Sequence, residues 1–376
     1  MNAAADARCA TRLLDLIGGN WTTQAIGAAV TLGVVDELAR AHCTAEQLAQ
    51  RTGCAPRALQ RLLNGLAAID IVTRDAVGRH ALSATGALLR EDAAGSVRWW
   101  AQWCSGPQWS LWGNLAQSVR TGRSARTLAG GRPGYAHLQA DVGAARLFHR
   151  AMAGLTRRIG RRIARDLDWR GVRQVVDIGG GYGELLAEIL AAQRSVRGIV
   201  FDLPHATRDA AAYLAERGLA ARCSVVSGSF FEPLPAGADV YLLKSILHNW
   251  DDADALRILR QCRSAMPAAA RVLVVERVLP AQAAGGRRER AVLRSDLNML
   301  VSLGGRERTR REFAELALQA GFTRPRRVGT ALDYDVLEMR PAPARRAQPA
   351  AVKAPAPPAR LGRGTRARSR DRRSAR

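Results

Sequence analysis

The chain is expected to fold as a doubly wound, Rossmann-like α/β domain behind a mostly helical, winged-helix-like N-terminal module. Three observations carry this. Residues 175–190 (VVDIGGGYGELLAEIL) pass from an apolar run through Asp177 into a glycine-rich turn and then a helical pattern. That order describes a buried parallel strand, a tight turn and a helix, the geometry of a nucleotide-type cofactor site. From 171 to 340, apolar runs alternate with helical patterns, which predicts a parallel sheet with helices on both faces. Residues 1–95 read instead as helices closed by a short hairpin.

The N-terminal elements come first. TTQAIGAAVTLGVVDELAR (22–40), TAEQLAQRTG (44–53) and APRALQRLLNGLAAI (55–69) predict helices; IVTR, the turn DAVG and RHALS predict a hairpin. Helix, turn, helix and wing is the outline of a winged-helix module. Arg57, Gln60, Arg61 and Asn64 on its second helix would suit a DNA groove. The segment TTQAIGAAVTLGVV, however, is apolar on more than one face and asks for burial on more than one side. Pairing with a second copy is the expected use, because a complete cofactor domain comes after it. A DNA-binding regulator is the alternative.

Residues 96–170 are expected to form a helical bridge. Trp99, Trp100, Trp103, Trp109 and Trp112 place five of the eight tryptophans in this short stretch. They serve core packing or wall an aromatic substrate pocket. Phe148 and Met152, four apart on one helical face, carry the same two readings.

In 171–340 the strands are expected at 173–178, 197–202, 223–227, 239–243 and 271–278, with helices near 183–192, 205–217, 252–265 and 309–320. Runs 324–330 and 333–339 predict an antiparallel edge hairpin. Ligands on such sheets bind beyond the carboxyl ends of the strands, so the residues just past each strand are the candidates.

After the first strand come Asp177 and the glycines, including Gly179 and Gly181. A dinucleotide fingerprint starting at Gly179 would need a third glycine at 184, where this chain has Glu. A turn that only packs is the plain alternative. Asp202 ends the second strand, where a carboxylate can take both hydroxyls of a ribose or cap the next helix. Lys244 ends the strand DVYLLK and is the only lysine in the first 339 residues, in a chain with 55 arginines. His248 comes next, in a strand-to-helix loop where a base can reach a substrate. Glu276 lies late in the apolar VLVVERVLP, where a carboxylate needs a partner or an exit to water. Glu307 precedes a helix that Thr309 caps, with Glu312 at the capping-box position. A histidine held by a carboxylate is oriented and made more basic.

Composition sets bounds. The net charge of +24 is spread unevenly: the segment after residue 340 is Pro, Ala, Gly and Arg without periodicity and cannot bury a core. Residues 341–376 are therefore expected to be a disordered basic tail, dispensable for folding, with at most non-specific affinity for nucleic acid. No apolar run approaches the ~18 residues of a membrane span, and no signal-peptide pattern opens the chain, so a cytoplasmic protein is expected. Six cysteines without a C-x-x-C pair, and six scattered histidines, give no metal spacing; no metal is expected.

VVDIGGGYGE, FDLP, GSFFEPLP, LLKSILHNWDD, VERVLP and GGRERT, in this order, resemble the S-adenosylmethionine-dependent O-methyltransferases of the caffeate and acetylserotonin type, above all the bacterial members that decorate natural products. The resemblance covers roughly 15–340. It implies a dimerisation domain over 1–95, a bridge over 96–170 that shares the substrate pocket, and a catalytic domain over 171–340 that binds S-adenosylmethionine. It implies a homodimer and a small hydroxylated acceptor, with no membrane and no specific nucleic acid as partners. Residue by residue, it implies that Gly179 and its neighbours approach the methionine part of the cofactor, and that Asp202, with Leu203 beside it, takes the ribose. Ser229 and Phe230 would sit at the adenine, with Lys244 a further contact. His248 would be the general base, flanked by Glu276 and Glu307. Trp103, Phe148, Met152, Asn298, Met299 and Ser302 would face the acceptor. Two positions depart from the family: Ser229 stands where many members have an acid, and Asn249 where many have Asp after the base. Asn249 cannot act as a carboxylate, so Glu276 or Glu307 must orient the histidine. A member of this fold diverted to decarboxylation or hydroxylation is the runner-up.

Overall fold

The computed structural model describes residues 3–131, 134–135, 137–282 and 285–343. All but the first three residues of the expected basic tail lie outside the described residues.

The N-terminal module begins with a long helix, Ala3–Thr31. The helix expected over 22–40 is broken: Gly33 adopts φ +74°, and a second helix, Val34–Arg40, starts in a new direction. Helices Ala45–Thr52 and Pro56–Ala68 come next, the first held by a capping box between Thr44 and Gln47. Strands β1 (Val72–Arg74) and β2 (His80–Leu82) pair as the wing. The Asp75 carboxylate closes their turn by accepting the N–H groups of Val77 and Arg79. Leu48, Leu59, Leu63 and Leu66 repeat at helical spacing and form the module's buried core.

The bridge is a string of short helices between Arg98 and Ala140, then the long helix Val142–Asp166. The latter lies against the helix Glu184–Ala192 and carries its apolar stripe, Ile159 and Ile163, into the core under the sheet.

The main sheet uses β3 (Gln174–Ile178), β4 (Arg197–Asp202), β5 (Cys223–Ser227), β6 (Val240–Lys244) and β7 (Arg271–Glu276). After the short β8 (Val278–Leu279) and β9 (Arg308–Thr309), β10 (Arg326–Ala331) and β11 (Tyr334–Met339) complete it. The order is β10-β11-β7-β6-β3-β4-β5. β11 runs antiparallel to both β10 and β7, and the other pairs are parallel. Both faces are covered, so the strands read as continuous apolar runs rather than alternating ones. Side chains still divide by period two: Val176, Ile178, Tyr241 and Leu243 enter one core, while Val175, Val240 and Leu242 enter the other.

Two further expectations are corrected. The helix expected over 205–217 is two pieces, Pro204–Thr207 and Ala210–Glu216. The strand expected over 271–278 ends at Glu276; Val278 and Leu279 leave the sheet to pair in parallel with Arg308 and Thr309. The chain order reverses between β3 and β6, and ligands bind in the crevice at such a reversal. Among the described residues, no helix is long and apolar enough to cross a membrane.

Candidate active site

The loops at the carboxyl ends of the strands build the site. After β3 the chain turns through Gly179 and Gly181 at φ +67° and +58°, the left-handed region open to glycine. A Cβ on Gly179 would lie 2.3 Å from the Ile246 side chain, so that backbone approach needs glycine. Asp202, at the end of β4, points at the turn: its Oδ2 accepts the Gly181 N–H at 2.8 Å and its Oδ1 accepts that of Leu203 at 2.7 Å. Burial raises its pKa to about 6 against these two bonds. Asp177 is buried beneath the turn; burial, and then repulsion from Asp202, raise its pKa to about 7. Glu184, in the place of a third fingerprint glycine, is committed to Arg157 at 3.0 Å and Arg217 at 3.1 Å.

Lys244 ends β6 with Nζ 5.4 Å from the centroid of the Tyr334 ring. Ser229 accepts the Phe231 N–H at 3.3 Å, and Phe230 stands edge-on to Trp250 with centroids 5.8 Å apart. The backbone then makes a single 3-10 turn, Leu247–Asn249. Glu276 Oε1 accepts the N–H groups of Ile246 and Leu247 at 2.9 Å, so this buried carboxylate fixes the turn that presents His248. His248 Nδ1 lies 3.0 Å from Glu307 Oε1 and 3.4 Å from Glu276 Oε2. Asn249 turns away and donates to the Ser245 carbonyl.

Burial by itself lowers the pKa of His248, but the charges of Glu276 and Glu307 outweigh it, and the net direction is up from about 6.5. Burial raises Glu276 above the usual carboxylate range. Burial acts the same way on Glu307, but the imidazole and the Ser295 hydroxyl reverse it, and Glu307 lies low. An Nδ1–H donated to Glu307 leaves Nε2 with its lone pair, and Nε2 has no protein partner among the described residues.

Further residues complete the loop, some of them within GGRERT but without a role assigned from sequence. Arg308 is fully buried and donates to the carbonyls of Leu247 and Trp250 at 2.7 and 2.8 Å. The Arg306 N–H donates to the His248 carbonyl, and a Cβ on Gly305 would lie 2.1 Å from that oxygen. The glycine pair before RERT was the signal for this close approach. Ser295 donates to Glu307 Oε1 at 2.6 Å. Arg277 contacts Ser295 at 3.4 Å and pairs with Asp333 at 2.5 Å. No local pattern marks Ser295.

The glycine turn, Asp202, Leu203, Ser229, Phe230, Lys244 and His248 all open on one cavity of about 1240 Å³. Trp103, Phe148, Met152, Asn298, Met299 and Ser302 line it too, and Trp103 meets Phe148 edge-on at 5.2 Å. Asn298 is less free than an acceptor contact would be. Its amide oxygen accepts from Gln108, from Trp112 at 3.1 Å and from Ser302 at 3.2 Å, so it ties helices together. Of the five clustered tryptophans, Trp99 is the one off the cavity wall; it stacks under Arg150 at 4.7 Å. His248, Glu276 and Glu307 also have metal-ligand atom types within 4.8 Å of one another. Glu276 Oε1 takes backbone N–H groups and Glu307 Oε1 takes Ser295, an arrangement that suits holding a histidine, while the Oε2 atom of each lacks a hydrogen-bond partner among the described residues.

A glycine turn and a carboxylate-held histidine facing one cavity define a group-transfer enzyme that works on a bound cofactor. Residues 112–323 match the model of the O-methyltransferase domain, and residues 14–91 that of the O-methyltransferase dimerisation domain. The chain belongs to this O-methyltransferase family. It is 38% identical over 329 residues to the phenazine O-methyltransferase of Lysobacter antibioticus, covering 88% of this chain and 95% of that one. An O-methyltransferase from neocarzinostatin biosynthesis, solved with S-adenosylmethionine and 2-hydroxy-5-methyl naphthoic acid, superposes with a TM-score of 0.71 at 36% identity, covering 85% and 96% of the two chains. Human N-acetylserotonin methyltransferase, solved with S-adenosylmethionine, gives 0.81 at 26% identity, covering 89% and 98%.

Proposed function

We propose that the protein transfers a methyl group from S-adenosylmethionine to a phenolic hydroxyl of a small natural-product-like acceptor, with His248 as general base. One observation carries the reading: a histidine whose Nδ1 is held 3.0 Å from a buried carboxylate faces the same cavity as the glycine turn. A relative named for a phenazine acceptor and another solved with a naphthoic acid support an aromatic acceptor.

The residues present suit the cofactor. The turn at Gly179 and Gly181 leaves its backbone bare toward the cavity, beside Asp177. Asp202 keeps lone pairs for ribose hydroxyls beyond the two N–H groups it already accepts, with Leu203 alongside. Ser229 and Phe230 offer a hydroxyl and a ring face to the adenine. Lys244, near Asp177, contributes charge. When bound, the cofactor supplies an electrophilic methyl group, so the chain need only align the hydroxyl and take its proton. His248 Nε2 accepts that proton, and Glu307 and Glu276 stabilise the imidazolium that results. Trp103, Phe148, Met152, Met299 and Ser302 hold the acceptor's ring over Nε2, with Asn298 bracing that wall.

Residues 1–95 act as a dimerisation domain, 96–170 as a bridge and 171–340 as the catalytic domain, and the working form is a homodimer. Leu13, Leu14, Leu16, Ile17 and Trp21 expose a broad apolar stripe for that contact. The six cysteines are free thiols, which supports a reducing, cytoplasmic setting. The test is transfer of a labelled methyl group from S-adenosylmethionine to a panel of phenolic acids. Cofactor turnover that leaves no label on the acceptor would mark the diverted chemistry instead.

A further inference from the structure

Three arginines stand on the cavity wall outside the glycine turn: Arg126, Arg277 and Arg294. Arg277 is matched by Asp333. Arg294 sits on an exposed helix position. Arg126 is half-buried, and its Nε is shut off from solvent without a hydrogen-bond partner. No carboxylate among the described residues pairs with it. The acids on the wall are Asp177, Glu184, Asp202 and Asp333. Glu184 and Asp333 hold other arginines, while Asp177 and Asp202 belong to the glycine turn.

A second observation lies beside it. Both ring nitrogens of His137 are buried without partners. Burial first, and the charge of Arg126 next, push its pKa down to about 4, so it stays neutral and adds no second positive charge beside the guanidinium. Buried charge is normally paired, because leaving it alone in a low dielectric is costly. Arg126 is half-buried and has no carboxylate partner among the described residues, so its guanidinium is free to take an anion that arrives with the ligand.

Its place tells which ligand. The short helix Ala125–Leu128 packs against the helices Pro107–Trp112 and Arg287–Ser302, the elements that carry Trp109, Met299 and Ser302. Ser124 backs directly onto Gly304. The helix of Arg126 thus belongs to the wall that carries the candidate acceptor contacts, while its neighbours Tyr135 and His137 lie toward Asp202 and His205.

We propose that Arg126 is an anion subsite and that the acceptor carries a carboxylate in addition to the hydroxyl that is methylated. This rests on reading the cavity as a methyl-transfer site. The guanidinium donates a forked pair of hydrogen bonds to the carboxylate, and His137 lies within reach to share the load. With the carboxylate anchored there and the ring against Trp103 and Phe148, the hydroxyl is fixed relative to His248.

The experiment needs no turnover. The full-length protein is loaded with S-adenosylhomocysteine and titrated by calorimetry with 1-hydroxy-2-naphthoate and, separately, 1-hydroxy-2-naphthamide. The carboxylate is expected to bind roughly 10- to 100-fold more tightly, the scale of a charge-assisted bond. Arg126→Gln should erase that preference and keep wild-type affinity for S-adenosylhomocysteine; Arg126→Lys should restore part of it. Equal affinities in the wild type, binding of neither compound, or a preference that survives Arg126→Gln would each overturn the subsite. Loss of S-adenosylhomocysteine affinity in Arg126→Gln would overturn it as well, by assigning the anion to the cofactor's own carboxylate. Failure of the methyl-transfer reading would show separately, as absent S-adenosylhomocysteine binding in the wild type.

Discussion

His248 and Glu307 are 59 positions apart in the chain, and the fold brings Nδ1 of one to 3.0 Å from Oε1 of the other. The small β8–β9 ladder makes this possible. It pairs Val278 with Arg308, which draws the segment after Glu276 and the segment around Glu307 to the same place. Arg308 then staples the histidine loop through two of its carbonyls. The histidine is therefore held from both sides of the loop before any ligand arrives.

Replacing that base should separate binding from chemistry. His248→Ala is expected to keep cofactor affinity and to lose methyl transfer by roughly 10²–10⁴-fold, the usual worth of a general base. His248→Gln should be similarly poor, because an amide accepts a hydrogen bond but takes no proton. Single-turnover methyl transfer with saturating cofactor reads this directly. Near-normal rates in His248→Ala at neutral pH would move the base to another residue.

With His248 as the proposed base, its raised pKa is expected to set the acid limb of kcat/KM. Activity with a phenolic acceptor should climb with pH through a value above 6.5, since the lone pair on Nε2 is absent below it. Stability runs the other way. A histidine whose folded pKa lies above its unfolded value contributes stability that is complete below the unfolded value and lost as pH rises through the folded one. The pH that frees the base thus weakens its ion pairs with Glu276 and Glu307. A limb centred well below 6.5 in the wild type would contradict this.

Asp202, Lys244 and Glu276 are legible as candidates because each lies at a strand end. An apolar run ending in Asp202 or Lys244 has a readable position along the sheet, and the sheet order then decides what meets. What remained hidden depends on contacts with no local pattern. Ser295 and Arg308 look like any polar residue in an arginine-rich chain; only the tertiary fold aims them at Glu307 and at the histidine loop. The break at Gly33 was missed because the apolar periodicity continues across it, while one left-handed residue changes the helix direction. Asn298, expected to face the acceptor, lines the cavity, and its amide oxygen also takes three donors that no sequence pattern shows.

Ser295 should tune the base through Glu307. Its hydroxyl donates to the same carboxylate oxygen that holds His248 Nδ1. Removing that donor in Ser295→Ala concentrates charge on the oxygen and favours the imidazolium further. The acid limb of kcat/KM should move to higher pH by about half to one pH unit, the scale of one hydrogen bond on the linkage conversion. The rate on the alkaline plateau should change little. Ser295→Thr, which keeps the hydroxyl, should restore the wild-type profile. A loss of rate at all pH values with an unmoved limb would assign Ser295 a packing role only.

The N-terminal helix should hold two copies together. Leu13, Leu16, Ile17 and Trp21 succeed one another at helical spacing, and they are 58%, 69%, 60% and 75% exposed. A stripe of that size on a single chain marks an association surface. Leu16 and Ile17 also border the large cavity, so the same contact closes one end of it. The combined change Leu13→Glu and Ile17→Glu adds charge at exposed positions and so spares the fold of each chain, while two carboxylates cannot be buried unpaired in an apolar interface. Light scattering should give a mass near twice 40.6 kDa for the wild type and near 40.6 kDa for the variant. The variant should bind S-adenosylmethionine normally, because neither Leu13 nor Ile17 is among the residues proposed to hold the cofactor. It should show a raised KM for the acceptor, since that end of the cavity is left open. A wild-type chain that scatters as a monomer would remove the dimer from the proposed function, and a dimeric variant would move the interface to another face.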